Sequence, residues 1–235
     1  MLLVSERAER LQAAAAEIRE ATGVSVRTLV LDLARVGAAE ELYWQVVRWN
    51  LQVEILVNNA GIFFFGEVAD APLDQANRLL QLQVVTPSLL CTLFAAQMRA
   101  RRHGHILIVS SISAWRDFPG VAYYGSCKRY LRGFARALRS EMAAYGVGVT
   151  CLTPGPTATA LFPVDPMTLR RGRQLGLFLA PEQVAEAGIR ALLTGRAECT
   201  PGLANRMLAL VFFLTPQWLV NLIRRHGAWL RGPSS

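Results

Sequence analysis

The chain has 235 residues, a mass of 25.9 kDa and 52% hydrophobic residues, which suits one domain with a full core. Its net charge is +8, but Arg132, Arg136 and Arg139 are spaced for one solvated helix face and no basic patch is interleaved with aromatic residues, so nucleic acid is not an expected partner. Four cysteines without metal-ligand spacing predict buried thiols, no metal site and a reducing, cytoplasmic location. We predict no signal peptide and no membrane-spanning segment.

The hydrophobic pattern predicts strands that alternate with helices. In chain order, strands are predicted at 2–4, 24–31, 53–57, 105–109 and 147–153, and helices at 6–21, around 42–49, 73–102, 126–145 and from Pro181 onward. Pro87 should kink the long helix or mark its restart. This alternation predicts an α/β fold, a doubly wound parallel sheet in a single domain covering residues 1–235.

Polar residues follow the predicted strands directly. They are Asp32, Asn59, Ser111 and the pair Pro154-Gly155. In doubly wound sheets, ligands bind beyond the carboxyl ends of the strands. We therefore expect these residues to meet at one edge of the sheet and to form a site there.

Tyr124 and Lys128 stand four residues apart at the start of a predicted helix, so they share one helix face. A phenol with a pKa near ~10 is a poor acid–base catalyst at neutral pH, and a nearby cation lowers that value. The Ser111 hydroxyl, arriving from a strand end, could hold a carbonyl oxygen against the phenol. Proton transfer at a carbonyl oxygen, paired with hydride transfer at its carbon, is dehydrogenase or reductase chemistry.

Over nearly its whole length, the chain resembles the short-chain dehydrogenase/reductase family. The resemblance rests on five motifs in the family's order and spacing, namely Asp32-Leu33, Asn58-Asn59-Ala60-Gly61, Ser111, Tyr124-x3-Lys128 and Pro154-Gly155-x3-Thr159. It implies a Rossmann-like NAD(P)-dependent oxidoreductase that interconverts a hydrophobic ketone and a secondary alcohol.

The resemblance also implies a role for each motif residue. Tyr124 is expected to donate the proton in reduction and accept it in oxidation. Lys128 is expected to lower the phenol's pKa and to hold the nicotinamide ribose. Ser111 is expected to orient and polarise the substrate carbonyl.

Three further residues are implied to hold the cofactor: Asp32 at the adenine, Asn59 near the adenine ribose and Thr159 at the nicotinamide carboxamide. The choice between NADP and NAD depends on the end of the first strand, where Ser5 is followed by Glu6-Arg7. Because Ser5 carries no charge that would repel a ribose phosphate, NADP is slightly favoured over NAD.

The chain departs from the family pattern in two places. Gln83 stands where many members carry an asparagine that completes a proton relay to the lysine. The family's first strand and its Gly-rich Thr-Gly-x3-Gly-x-Gly turn, which cradles the pyrophosphate, have no counterpart in the sequence. We therefore expect a chain truncated at its amino terminus that binds cofactor poorly or not at all as it stands. The alternative is a catalytically impaired or non-catalytic relative that binds a lipid or a partner.

Several segments bear on substrate and partners. Phe63-Phe64-Phe65, together with Trp115 and Phe118, would border a hydrophobic substrate, although packing in the core is expected for at least two of them. Residues 161–180 would form a substrate lid or an ordinary exposed loop.

The C-terminal segment 203–231 is apolar and basic. Packing over the substrate entrance or against a second subunit is favoured there over contact with a membrane surface. A homodimer or homotetramer is expected through the helices at 73–102 and 126–145, because both carry more apolar residues than one sheet face requires.

Overall fold

The computed structural model describes residues 1–159, 161 and 165–226 of the chain. Its strands are β1 (Leu2–Ser5), β2 (Arg27–Val30), β3 (Ile55–Asn58), β4 (Gly104–Val109), β5 (Val147–Leu152) and β6 (Glu198–Cys199). Its helices are α1 (Ala8–Thr22), α2 (Ala38–Arg48), α3 (Leu73–Leu80), α4 (Thr86–Arg101), α5 (Ala122–Ala143), α6 (Pro166–Gln174), α7 (Pro181–Leu193), α8 (Leu203–Leu214) and α9 (Gln217–His226). Every strand pair is parallel, so the predicted α/β class is confirmed.

Helices cover both faces of the central strands. On one face α2, α4 and α5 bury the larger core cluster, which includes Phe94 and Ile106. On the other face α7 packs against Leu107 and Leu152 of β4 and β5. Two-sided burial explains why β4 and β5 read as nearly continuous apolar runs in the sequence.

The strands form two separate ladders. β1 pairs only with β2, and β3, β4, β5 and β6 form a second ladder in that order. In the described part of the chain, no ladder joins β1 to β3. Leu56 of β3 packs into the core, whereas Ile55 and Val57 on the opposite face remain 40% and 45% exposed. Both β1 and β3 therefore keep an unpaired edge, and β3 also keeps one open face.

The long predicted helix is interrupted where proline suggested a restart. A π-helical turn at Gln81–Val85 separates α3 from α4, and Pro87 occupies the first turn of α4. Residues Leu73–Arg101 are long and apolar enough to cross a membrane by length and composition alone. Their apolar side chains pack inside the fold instead, since Leu79, Phe94 and Met98 are at most 2% exposed.

Two expectations need correction. The segment 161–180 contains a helix, α6, which begins where the Asp165 carboxylate accepts hydrogen bonds from the backbone N–H groups of Met167 and Thr168. The helix predicted at 126–145 begins four residues earlier, at Ala122. Tyr124 and Lys128 consequently both lie within the first two turns of α5.

The apolar surplus expected on the long helices is mostly used inside the subunit. Leu79, Leu131, Leu138 and Met142 are at most 8% exposed in the single chain. Leu89 of α4 is 36% exposed. The sequence pattern that suggested an interface is therefore largely a core pattern.

The unpaired edges of β1 and β3 should exchange amide hydrogen quickly. Backbone groups without a ladder partner open at little cost, whereas β4 is paired on both sides. In native-state hydrogen exchange, alternate amides of β1 and β3 should exchange at least about 10²-fold faster than those of β4. If the amides of β1 and β3 were all as strongly protected as those of β4, the separation of the two ladders would be contradicted.

Candidate active site

Two hydrogen bonds fasten the start of α5 to the end of β4. The Ser110 hydroxyl donates to the backbone oxygen of Lys128 at 2.6 Å, and the Lys128 ammonium donates to the backbone oxygen of Val109 at 3.1 Å. Lys128 is only 5% exposed. The helix start therefore has a fixed position against the carboxyl end of the central strand.

This docking brings Tyr124 to Ser111. Ser111 has an extended backbone and caps a 3₁₀ turn at Ile112–Trp115, where its hydroxyl accepts a hydrogen bond from the Ser113 N–H at 3.2 Å. A side-chain hydrogen bond joins Ser111 to Tyr124. The structure thus brings together Ser111, Tyr124 and Lys128, the three residues that the sequence singled out.

The electrostatics differ from the expectation. Burial raises the pKa of Tyr124 above its usual value, and the hydrogen bond from Ser111 opposes that rise only in part. Lys128 stands 5.5 Å from the centre of the tyrosine ring, measured from its Nζ, and its own pKa falls to about 8 because burial disfavours the charged form. The predicted lowering of the phenol's pKa by Lys128 is therefore wrong for this state of the protein.

Gln83 projects from the π-turn into the space beside Lys128. It is fully buried, and its Nε2 donates to the backbone oxygen of Ile62 at 2.8 Å. A Cβ built on Gly61 would stand 3.3 Å from Gln83 Oε1 and 3.7 Å from Lys128 Nζ. Within the described residues Oε1 has no hydrogen-bond partner. A buried acceptor of this kind ordinarily binds a water or a ligand hydroxyl.

Asp32 follows β2 and is occupied by an arginine that the sequence analysis missed. Its carboxylate accepts from both terminal nitrogens of Arg78, at 2.6 and 3.2 Å, and Arg78 also pairs with Glu6. Although burial works in the opposite direction, hydrogen bonds from Arg78 and the backbone N–H of Ala34 leave the pKa of Asp32 below its usual value. The Asp32 carboxylate, which we predicted to bind adenine, is therefore ionised, and Arg78 uses part of its hydrogen-bonding capacity.

Asn59 and Thr159 lie in exposed loops after β3 and β5, on the edge that also carries Ser111. The Thr159 N–H donates to the backbone oxygen of Thr157 at 2.8 Å. The neighbouring Asn58 turns inward and donates to the Cys91 sulfur at 3.2 Å. These positions fit the expected cofactor edge, and within the part of the chain that the structure describes no hydrogen bond joins Asn59 or Thr159 to Tyr124.

Of the five aromatic residues, one borders Tyr124 and two pack against α8. The Phe63 ring meets Tyr124 edge-on at 5.0 Å between centroids, and so borders the site. Trp115 and Phe118 instead meet Phe213 and Phe212 of α8, at 5.9 and 4.8 Å. The expected packing role thus holds for these two, which join α8 to the loop that carries Ser111.

A family model described as short chain dehydrogenase matches residues 1–166. The chain belongs to the short-chain dehydrogenase/reductase family. The Dehydrogenase/reductase SDR family member 4 of Bos taurus is 32% identical over 160 residues, which is 68% of this chain and 57% of that protein. The chain therefore spans little more than half the length of this relative.

Solved structures share the fold. A protein described under 7beta-hydroxysteroid dehydrogenase stereoselectivity superposes with a TM-score of 0.84 at 23% identity, over 97% of this chain and 86% of the other. A short-chain dehydrogenase from Sphingobium yanoikuyae in complex with NADPH has a TM-score of 0.76 at 21% identity, over 100% and 87% of the two chains. At these identities the likeness establishes the Rossmann-like fold.

Lys128 is the only lysine in the sequence, so its titration can be read from a single resonance. In protein labelled at the lysine side chain with ¹³C and ¹⁵N, the signal should titrate with a midpoint at about 8, because burial disfavours the ammonium. A midpoint near the unperturbed ~10.4 would contradict the burial described here.

The same shift makes folding stability depend on pH. Between about pH 8 and pH 10.4 the unfolded chain holds the Lys128 proton and the folded chain releases it, so native stability should rise through that window. Lys128→Met should stabilise the fold at neutral pH by about 1–3 kcal/mol, less the lost bond to Val109, and this gain should fade as the pH approaches 10.4. Urea unfolding at both ends of the window measures it. A gain that does not change with pH would count against this account.

Proposed function

We propose that the chain is the catalytic part of an NAD(P)-dependent oxidoreductase that interconverts a hydrophobic ketone and a secondary alcohol. The observation that carries the proposal is the hydrogen-bonded pair Ser111 and Tyr124 beside the buried Lys128. Membership of the short-chain dehydrogenase/reductase family supports the reaction class.

The residues divide the proton chemistry among them. In reduction, the Tyr124 hydroxyl gives its proton to the substrate oxygen, and in oxidation it takes that proton back. Ser111 orients the oxygen, because its hydroxyl already lies within hydrogen-bond reach of the phenol. When bound, a nicotinamide cofactor supplies or accepts the hydride. Lys128 holds the phenol in position, because its bond to the Val109 backbone oxygen anchors the start of α5.

The nicotinamide end of the cofactor fits the residues present. Lys128 Nζ and Gln83 Oε1 both lie beside Gly61, 3.7 and 3.3 Å from where a Cβ would stand, and we assign a ribose hydroxyl or a water to the free acceptor oxygen of Gln83. Asn59 and Thr159 stand at the same edge for the adenine ribose and the carboxamide. In the described residues no Gly-rich turn follows a strand to cradle the pyrophosphate.

We favour NADP over NAD. Glu6, whose negative charge would repel a ribose phosphate, is paired with Arg78. The Arg78 side chain is 42% exposed and pairs with both Glu6 and Asp32, so it neutralises part of the negative charge at the end of β1. The solved Sphingobium yanoikuyae relative described as an NADPH complex is consistent with this preference.

The proposed substrate is apolar around its carbonyl. Phe63 borders Tyr124 directly, and Gly66 of the same loop donates its N–H to the Gly120 backbone oxygen at 2.8 Å. This bond fixes the loop that carries Phe63, so that an aromatic surface lies on one side of the Ser111 and Tyr124 hydroxyls. We propose α6 as part of the substrate lid. An apolar substrate is consistent with the 7beta-hydroxysteroid dehydrogenase named for the solved relative.

We further propose a homo-oligomer in a reducing, cytoplasmic compartment. Leu89 and Tyr130, 36% and 42% exposed on α4 and α5, are the residues we assign to the subunit contact. All four cysteines are buried and unbridged, which is consistent with a reducing environment.

Tyr124→Phe should abolish turnover of a hydrophobic ketone with NADPH while leaving the fold intact. Removing the acid–base hydroxyl should lower kcat by about 10²–10⁴-fold. Tyr123→Phe is the matched control, because it deletes the same atom one residue away, where the ring meets Phe64 rather than Ser111. Activity retained in Tyr124→Phe, or lost equally in Tyr123→Phe, would rule out the assignment.

Direct titration separates the enzyme from the non-catalytic alternative. Because no pyrophosphate cradle occurs among the described residues, we expect the 235-residue chain to bind NADPH weakly in a fluorescence titration, and NADH more weakly still. Arg78→Ala should narrow the difference between the two cofactors. Equal affinities in the parent chain would contradict the NADP preference, and binding at micromolar affinity would count strongly against a non-catalytic relative that binds a lipid or a partner.

A further inference from the structure

The outer face of α8 and α9 is an extended apolar surface. Five residues spaced along one side of α8 are 48–75% exposed, namely Leu203, Met207, Leu210, Val211 and Leu214. Trp218 and Leu222 continue this surface on α9, at 66% and 45% exposure. We call these seven residues the outer face. Contiguous apolar patches on single chains ordinarily mark a site of interaction.

The opposite side holds these helices in place. Asn205 and Ala209 of α8 are buried, and Phe212 meets Phe118 of the loop after β4. On α9, Val220 is 2% exposed, and Gln217 donates to the backbone oxygen of Asp117 at 3.3 Å. The outer face is therefore presented by helices that are already packed, so its exposure is not a sign of undocked segments.

Basic residues flank the outer face. A Cβ built on Gly176, just after α6, would stand 3.8 Å from the Cβ of Ala204, so α6 lies beside the start of α8. Arg170, Arg171 and Arg173 of α6 are all exposed. From residue 200 to residue 226 the sequence contains no aspartate or glutamate.

A second basic border lies along α5. A groove of about 410 Å³ between α5, the 3₁₀ turn and α8 is lined by Arg129, Arg132 and Arg136 together with Trp115 and Phe213. Two of these arginines already hold a carboxylate, Asp117 and Glu198 respectively, and Arg136 is exposed to solvent.

We infer that the outer face, with the arginines of α6, docks on the surface of an anionic lipid membrane. An apolar helix face bordered by arginine is the arrangement that binds at the boundary of headgroups and acyl chains. A second copy of the chain is a poorer occupant: a two-fold contact places the same patch on both sides, so the α6 arginines of one copy would face a segment, 200–226, that contains no aspartate or glutamate.

The contact would be interfacial and not spanning. α8 has 12 residues, which at 1.5 Å per residue is about 18 Å, against a hydrocarbon core of about 30 Å. Its inner side is committed to the loop after β4. The helix can therefore lie along the surface without leaving the fold.

Vesicle co-sedimentation of the 235-residue chain tests the inference without any assay of turnover, so the outcome is independent of the proposed reaction. The protein should sediment with vesicles of phosphatidylcholine mixed with phosphatidylserine, less with phosphatidylcholine alone, and less at high salt. Met207→Glu/Leu210→Glu/Leu214→Glu should lower the partition coefficient by about 10-fold or more.

The chain offers a matched control for that triple variant. Val36, Leu73 and Leu193 are 81%, 80% and 60% exposed on other elements, so changing all three to glutamate alters charge and surface hydrophobicity equally. This control should lose only the share of binding that follows from its added negative charge. Equal loss in both triple variants would overturn the inference.

A second comparison of variants tests the contribution of the α6 arginines to vesicle binding. Arg170→Gln/Arg173→Gln should weaken binding to phosphatidylserine vesicles more than Arg10→Gln/Arg48→Gln, which removes the same charge from exposed positions on α1 and α2. Parent protein that stays in the supernatant overturns the proposal. So does a parent dimer that the Met207→Glu/Leu210→Glu/Leu214→Glu variant converts to monomer in light scattering, because the outer face would then be a subunit interface.

Discussion

The buried ammonium of Lys128 is the constraint on which the site depends. A charged group held out of water needs a fixed acceptor, and the backbone oxygen of Val109 provides it at the end of β4. The Ser110 hydroxyl makes a second hydrogen bond, to the backbone oxygen of Lys128. Together these bonds seat α5 against the strand, and Tyr124, one turn earlier, then faces the loop that carries Ser111. The positions of the Tyr124 and Ser111 hydroxyls therefore follow from how the start of α5 is anchored.

The sequence predicted the features of the site that depend on local spacing along the chain. The four-residue interval from Tyr124 to Lys128 and the strand ends before Asp32 and Ser111 are local patterns, and the structure brings Ser111, Tyr124 and Lys128 together. Arg78, by contrast, reaches Asp32 across 46 positions, and no local pattern announces that pair. The direction of the Tyr124 pKa shift also escaped prediction, because it depends on burial, whereas the sequence shows only which charge is near.

Helix α8 connects two regions that the sequence treated separately. Its inner side rests on the loop of Trp115 and Phe118, directly after Ser111, while its outer side carries exposed leucines, Met207 and Val211. The same helix therefore supports the loop that follows Ser111 and presents an apolar surface to solvent. A substitution on its inner side can alter the site without touching Ser111 or Tyr124.

The π-turn at Gln81–Val85 constrains chain length as well as residue type. A π-turn holds one residue more than an α-helix over the same stretch, and one α-helical residue corresponds to about 100° of rotation. Deleting one residue there would restore regular helix and leave Leu79 and Phe94 on the faces that they now occupy in the core. It would, however, swing Gln83 away from Lys128. The extra residue of the π-turn therefore serves the position of Gln83 and not the packing of α3 and α4.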